Sequence, residues 1–154
     1  MGSEMCIRDS FQLADDEAFV INVNDGGARY FTVPISNVWG TTMGIMDRTG
    51  SLNKAQSEPN ADGTWTYVIS NADPLVHNWV DPCGLTEGIL TLRMAEFPGQ
   101  RPTDDLSASG EVVKVADLES VLPAGTRQVT PAERATQLAE RAAAYTRRLP
   151  EVAS

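Results

Sequence analysis

The sequence predicts a mainly β domain, an antiparallel β-sandwich or jelly-roll-like fold that ends in a C-terminal α-helix. Strand-like runs fill the first two-thirds of the chain, and turn signals rich in glycine, asparagine and aspartate separate them. The β-α-β alternation that indicates a parallel sheet is absent from the pattern. We divide the chain into a leader at 1–10, the β-sandwich domain at 11–105, a linker with a short strand or helix at 106–129, and an amphipathic helix at 130–149.

Composition limits the classes of function. A chain of 154 residues with a formal net charge of −9 is the size of one acidic domain. An acidic surface repels phosphate backbones, which argues against a nucleic-acid partner. No apolar run approaches the roughly 20 residues that span a bilayer, so no membrane span is expected. The polar N-terminus lacks the apolar core of a secretory signal, which favours the cytoplasm.

Residues 1–10 do not resemble the start of a fold, because they show neither periodicity nor turn chemistry. Residues 5–10 look like a translated sequencing-adapter fragment, so we expect this leader to be non-native and the true protein to begin earlier. Without these ten residues Cys83 is the only thiol. With them, Cys6 and Cys83 lie too far apart in the chain to indicate a metal or disulfide motif.

The first half of the domain contains two strand patterns and one segment that fits either of two structures. Residues 18–23 are apolar and β-branched, and they end at a turn, Asn24-Asp25-Gly26-Gly27. Residues 28–38 resume the β pattern, with Pro34 indicating an edge position or a bulge. Residues 39–47 either continue that strand or form a bent crossing.

The second half contains the two clearest strand patterns. Residues 64–70 alternate strictly between two faces, with Trp65, Tyr67 and Ile69 on one of them. Residues 89–97 alternate in the same way, which places Arg93 on a solvated face or in a cleft. Residues 111–115 are expected to form a short strand, and residues 115–122 a short helix that ends before a proline.

The final element is the clearest helix. Thr130, a proline at the first helical position and Glu133 form a capping-box pattern at its start. One narrow apolar stripe then predicts the docking face of the helix, and a row of arginines with a period of seven lies beside it. The stripe consists of Ala135, Leu138, Ala142, Tyr145 and Leu149, and the row of Arg134, Arg141 and Arg148.

The best candidate site surrounds His77, the only histidine of the chain. A titratable base in a loop between strands, with Asp81 and Glu87 following it, has the groups needed for general acid–base chemistry. A structural role for a histidine beside a tryptophan is the commoner outcome. The set lacks a second histidine and a recognised spacing, so neither a metal site nor a cofactor is expected.

Other residues offer weaker hypotheses. Asn78, Trp79 and Arg93 are candidate ligand-binding residues, although tryptophans in a β-sandwich more often fill the core. Cys83 would need a base such as His77 to act as a nucleophile, and a small, partly buried structural residue is the commoner alternative.

The chain resembles the DUF twelve-fourteen family, a bacterial domain of unknown function. The resemblance covers most of residues 11–97, and the tail to about Leu149 is similar to the family's usual ending. It depends on eight short motifs: Ala28-Arg29-Tyr30-Phe31, Asn37-Val38-Trp39, Ser51-Leu52-Asn53, Asn60-Ala61-Asp62-Gly63, Asn71-Ala72-Asp73-Pro74, His77-Asn78-Trp79-Val80-Asp81, Gly84-Leu85-Thr86-Glu87-Gly88 and Leu92-Arg93. The resemblance implies a jelly-roll-like C-terminal part of a longer bacterial protein, sometimes beside a DUF twelve-fifty-four domain, with no established activity.

Three functional hypotheses follow. The first is a ligand-binding or interaction module whose partner is a small molecule or the missing N-terminal region of the parent protein. The alternative is part of an enzyme, with His77 as the general base and Asp81 or Glu87 orienting it. The third is a structural domain that completes a homo-oligomer, since a truncated sheet exposes an edge that pairs with another chain.

Overall fold

A computed structural model describes residues 4–148 of the chain. These residues form two four-stranded β-sheets, a short helix and a C-terminal helix. The prediction of a mainly β domain ending in a helix is therefore confirmed. Within the described part of the chain, neither helix is long and apolar enough to cross a membrane.

The first sheet contains four strands in the order β1-β7-β3-β4. Each neighbouring pair is antiparallel, as the alternating sequence patterns predict. The strands are β1 (Glu4–Gln12), β3 (Tyr30–Ser36), β4 (Ser51–Asn53) and β7 (Glu87–Ala95). Pro34 lies on β3 opposite Ser51 of the three-residue edge strand β4.

The second sheet has the order β6-β5-β2-β8. Its strands are β2 (Glu17–Asn24), β5 (Trp65–Ile69), β6 (Trp79–Val80) and β8 (Ser107–Lys114). Strand β2 is antiparallel to both of its neighbours, but β6 runs parallel to β5, with Val68 opposite Trp79. This two-residue strand is the exception among otherwise antiparallel pairings, because the loop 70–78 carries the chain back before β6 begins.

Side chains from both sheets fill one hydrophobic core. Phe31 of β3 meets Trp65 of β5 edge-to-face, with ring centroids 5.1 Å apart. The predicted face of Trp65, Tyr67 and Ile69 is buried in this core. Strand β5 is also buried on its other side, where Val68 packs with Leu118 of α1 (Leu118–Val121) in a second cluster. This short helix lies where the sequence predicted one.

Residues 4–10 belong to the fold, contrary to the expectation for the leader. Strand β1 pairs with β7 along its whole length, from Glu4 opposite Ala95 to Gln12 opposite Glu87. The strand lies at the sheet edge and most of its side chains are exposed, so backbone hydrogen bonds hold it without an apolar pattern. The non-native origin of residues 1–10 stays a prediction, and Met1, Gly2 and Ser3 lie outside the described residues.

The expected linker at 106–129 is also part of the β structure. Strand β8 extends the second sheet by pairing with β2 from Glu17 opposite Lys114 to Asn24 opposite Ser107. The strand predicted at residues 111–115 overlaps its second half, and the small, exposed residues of its first half carry no periodicity that predicts a strand. Gly110 has a steric reason to be glycine, because a Cβ there would lie 2.5 Å from the ring of Phe19.

The C-terminal helix, α2 (Pro131–Thr146), begins at the predicted capping box. The Thr130 side chain accepts a hydrogen bond from the Glu133 amide, and the Glu133 carboxylate accepts one from the Thr130 amide. The predicted docking face is wrong. Arg134 and Arg141 are each only 5% exposed, whereas Ala135 is exposed.

The buried face is shifted from the apolar stripe toward the arginine row, because α2 packs against loops rather than against an apolar sheet face. The loops present carbonyl and carboxylate oxygens, which the two long guanidinium side chains reach. The other stripe residues within the described chain, Leu138, Ala142 and Tyr145, are half-buried, and Leu149 lies outside the described residues.

Candidate functional site

His77 lies in the loop 70–78, just before β6. Its backbone amide donates to the Arg127 carbonyl at 2.9 Å, and the Val129 amide donates to the Leu75 carbonyl at 2.8 Å. A bridge between Val76 and Gln128 completes this short pairing of two loops. The pairing fixes the imidazole beside the start of α2, so the backbone and not the helix positions it.

The ring of His77 is held by a carbonyl oxygen. Nε2 lies 3.2 Å from the Gln56 oxygen, at the end of the 3₁₀ turn Lys54–Gln56. A carbonyl only accepts hydrogen bonds, so Nε2 carries the proton and Nδ1 of the neutral ring is an acceptor. Burial lowers the pKa of His77, and the nearby charge of Arg127 lowers it further. His77 is therefore uncharged near neutral pH.

Three cavities meet at His77. The first, of about 320 Å³, lies between residues 49–58 and the α2 residues Gln137 to Ala144. The second, of about 160 Å³, lies between Asn78 and the loop 125–127. The third, of about 380 Å³, lies between Arg127 and the first half of α2. The first and the third cavity each have a volume within the range that small-ligand sites have.

We call the first cavity the α2 cleft. Its lining combines amide, imidazole and guanidinium groups with an apolar portion of comparable extent. The lining residues are Thr49, Leu52, Ala55, Gln56, Ser57, Glu58, His77, Gln137, Glu140, Arg141 and Ala144. A few converging polar groups in a mainly preformed hollow are typical of a binding site.

Two polar groups of the α2 cleft have incomplete partners among residues 4–148. Thr49 is 1% exposed, and its hydroxyl oxygen has no hydrogen-bond partner there. Arg141 donates to the carbonyls of Ile45 and Ser51 and to the Ser51 hydroxyl, at 2.7–2.9 Å, and it forms no ion pair with a described carboxylate. Burial lowers the pKa of Arg141, as expected for a guanidinium removed from water.

Asn78 is a structural clamp in this arrangement. It is 6% exposed, and its amide nitrogen donates to the Glu58 and Thr66 carbonyls at 2.8 and 3.0 Å. Its oxygen accepts from the Glu58 amide at 2.9 Å. All three bonds join Asn78, the residue before β6, to the backbone of Glu58 and Thr66, so Asn78 shapes the wall of the second cavity.

Trp79 is part of the packed interior. The side chain is 7% exposed, and Nε1 donates to the Ser70 carbonyl at 2.9 Å. The guanidinium of Arg134 lies over the ring, 5.0 Å from its centroid. Trp79 therefore anchors α2 to the second sheet rather than opening onto the α2 cleft.

The structure does not bring Asp81 or Glu87 to His77. Asp81 is 2% exposed, and its carboxylate accepts two hydrogen bonds from Arg48, at 2.7 and 3.0 Å, and one from the Cys83 amide at 2.7 Å. Glu87 is exposed at the start of β7, opposite Gln12. Among the described residues, no group of three or more His, Cys, Asp or Glu side chains is arranged to hold a metal ion.

The remaining candidates lie away from the α2 cleft. Arg93 projects from β7 into solvent and pairs with Glu4 at 3.0 Å, with both side chains more than half exposed. The Cys83 thiol is half-buried and faces the Asp81 carbonyl, and burial raises its pKa, which keeps it protonated and weakly nucleophilic. Trp39 is 88% exposed on a turn, so it does not fill the core.

Arg141, Gln137 and Gln56 line the α2 cleft although the sequence did not indicate them as members of a site. One signal was present, because the arginine row of α2 has the period that places residues on one helix face. Gln56 and Gln137 carry no comparable signal, since isolated glutamines usually lie on the surface.

The comparisons with known proteins give one structural neighbour. No protein-family model matches the chain, and no curated protein matches it. The crystal structure of an uncharacterised protein from Burkholderia cenocepacia is similar, with a TM-score of 0.64 and 27% sequence identity over 73% of this chain. The match covers 30% of that protein, so this chain spans less than a third of the length of its neighbour.

Proposed function

We propose that this chain is a ligand-binding module of a larger bacterial protein, and that a small molecule binds in the α2 cleft beside His77. The observation that carries the proposal is the convergence of three cavities on one half-buried, neutral imidazole. The α2 cleft, of about 320 Å³, is at the lower end of the volumes that small-molecule sites have.

The proposal of a larger parent protein has two supports. The solved neighbour is more than three times as long as the part that matches, since the match covers 30% of it. The resemblance to the DUF twelve-fourteen family carries the same implication. We further propose that the two sheets form a β-sandwich of the jelly-roll type, because one core joins them and β2 and β7 lie inside their respective sheets.

An interaction surface is a second candidate function, and the exposed turn 37–40 favours it. Trp39 is 88% exposed and Val38 is 54% exposed, although large apolar side chains usually avoid such exposure. The turn is ordered by the Asn37 side chain, which accepts hydrogen bonds from the Trp39 and Thr41 amides at 3.0 Å. A partner protein or a second copy of this chain would cover these two side chains.

Ligand-induced thermal stabilisation tests the proposed function. Wild-type protein, His77→Ala and the control Trp39→Ala are screened against a broad metabolite panel. A ligand of the α2 cleft raises the unfolding temperature of wild type and of Trp39→Ala but not of His77→Ala, because Trp39 lines none of the cavities at His77. Equal responses from all three proteins, or none, contradict the proposal. Turnover of a stabilising ligand that disappears in His77→Ala would favour the enzymatic alternative.

A further inference from the structure

The two buried arginines of α2 differ in their charge partners. Arg134 and Arg141 are both 5% exposed. Arg134 forms an ion pair with Asp73 at 2.8 Å and also donates to the Val76 carbonyl at 2.5 Å. The hydrogen bonds of Arg141 go only to neutral oxygens of Ile45 and Ser51. Its guanidinium also lies over the ring of Tyr145, 5.7 Å from the centroid, and none of the ion pairs within residues 4–148 includes it.

A buried cation without a counterion is costly, and Arg141 retains donors that could bind one. Removing a charge from water is unfavourable unless an opposite charge or a full set of hydrogen bonds replaces the solvent. A guanidinium has five N–H groups, and Arg141 uses three of them. One N–H remains on each terminal nitrogen, and a carboxylate has two oxygens to accept such a pair.

Arg141 lines the α2 cleft together with groups suited to an organic acid. Leu52, Ala55 and Ala144 provide an apolar portion for a hydrocarbon part. Thr49 lines the same cavity, and its buried hydroxyl has no hydrogen-bond partner among the described residues.

The acidic residues of the cleft leave the charge of Arg141 uncompensated. The Glu58 carboxylate is paired with the Arg127 guanidinium at 2.5 Å. Glu140 is exposed and forms no ion pair with a described residue, so it places a negative charge at the cleft without neutralising Arg141. Removing the charge of Glu140 therefore strengthens the binding of an anion.

We propose that Arg141 binds the carboxylate of a small organic acid in the α2 cleft, which rests on the ligand-binding function proposed above. The hydrocarbon part of the acid lies against the apolar wall, and the carboxylate accepts hydrogen bonds from the two remaining N–H groups. His77, neutral and with Nδ1 as an acceptor, lines the same cavity.

Calorimetric titration with sodium benzoate and with benzamide tests the carboxylate site. The two probes share an aromatic ring and differ in charge, so their affinity ratio measures the contribution of the carboxylate. Wild-type protein is expected to bind benzoate at least about tenfold more tightly, as a charge-assisted pair at a buried cation predicts. Arg141→Gln abolishes this preference, whereas Glu140→Gln increases the benzoate affinity about twofold or more.

The matched control is Arg147→Gln, which makes the same change on an exposed residue of the same helix region and leaves the ratio unaltered. Circular dichroism and thermal melting verify that each variant folds. If Arg141→Gln does not fold, Glu140→Gln still tests the carboxylate site, because it leaves every contact of Arg141 in place. Equal binding of benzoate and benzamide overturns the carboxylate site and leaves the ligand-binding function standing. Binding of neither probe also overturns the carboxylate site, while the metabolite screen decides the function separately.

Discussion

Replacing Asn78 tests whether this residue is a clamp of the fold rather than a ligand-binding group. Its side chain forms three hydrogen bonds, two to Glu58 and one to Thr66, and it is 6% exposed. Each bond contributes about 1 kcal/mol net, so Asn78→Ala is expected to lower the free energy of unfolding by about 2–4 kcal/mol. The second cavity adjoins the backbone groups that Asn78 binds and has room for water. Water can replace part of the lost hydrogen bonds in Asn78→Ala, which keeps the loss of free energy of unfolding below that of fully dry unpaired groups.

Urea denaturation at pH 7, followed by far-UV circular dichroism, measures this loss. Asn78→Asp keeps the shape of the side chain but replaces the NH₂ donor that faces the Glu58 and Thr66 carbonyls with a charged oxygen. A larger loss of free energy of unfolding is therefore expected. Asn37→Ala is the control, because its two bonds lie in an exposed turn and its cost is below about 1 kcal/mol. Unfolding of Asn78→Ala within about 0.5 kcal/mol of wild type would refute the clamp.

Three further predictions concern His77, the tryptophans and Asp81. The lowered pKa of His77 means that the unfolded chain binds a proton more readily than the folded chain, so stability falls as pH drops below about 6.5. Between pH 8 and pH 5.5, His77→Gln should lose less free energy of unfolding than wild type, and an equal loss would contradict the lowered pKa. Trp39→Ala is expected to change the free energy of unfolding by less than about 0.5 kcal/mol, and Trp65→Ala to lower it by about 3–5 kcal/mol. Similar changes for both variants in urea titrations would contradict the exposed position of Trp39 and the buried position of Trp65. Arg48→Gln leaves the buried Asp81 carboxylate without its charge partner and should cost about 1–3 kcal/mol at pH 7, and a cost near zero would show that the pair is not maintained in solution.

Much of the fold was predictable because the central strands carry strong patterns. The alternation of residues 64–70 places Trp65, Tyr67 and Ile69 in the core, where they lie. Strand β1 and the first half of β8 were not predictable in this way, since exposed edge strands are held by backbone pairing and need no apolar side chains.

The docking face of α2 shows a different failure. Hydrophobic periodicity assumes that a helix packs on an apolar surface, and α2 packs on loops that offer oxygens. Arg134 and Arg141 are therefore the buried residues, and the alanines are not. The seven-residue period of the arginines was visible in the sequence. Whether the row faces the protein or the solvent depends on where the loops lie, which the sequence does not show.

The candidate site was predicted in part. His77 lies in a loop, as the sequence indicated, and it lines three cavities that the sequence did not indicate; its functional role stays a prediction. Asp81 and Glu87 were expected beside His77 because they are near it in the sequence. In the fold, β6 lies between His77 and both carboxylates along the chain and carries them away from the loop. Arg141 reaches the same cleft from a helix more than sixty residues further along the chain, a contact that local spacing does not reveal.

The most direct test of the central claim is nuclear magnetic resonance of the His77 ring. The chain contains one histidine, so its imidazole signals report on the α2 cleft without assignment ambiguity. We expect that any ligand found by thermal stabilisation shifts these signals in a saturable manner, with the same dissociation constant as calorimetry. A ligand that stabilises the protein but leaves the His77 signals unchanged would contradict the placement of the site.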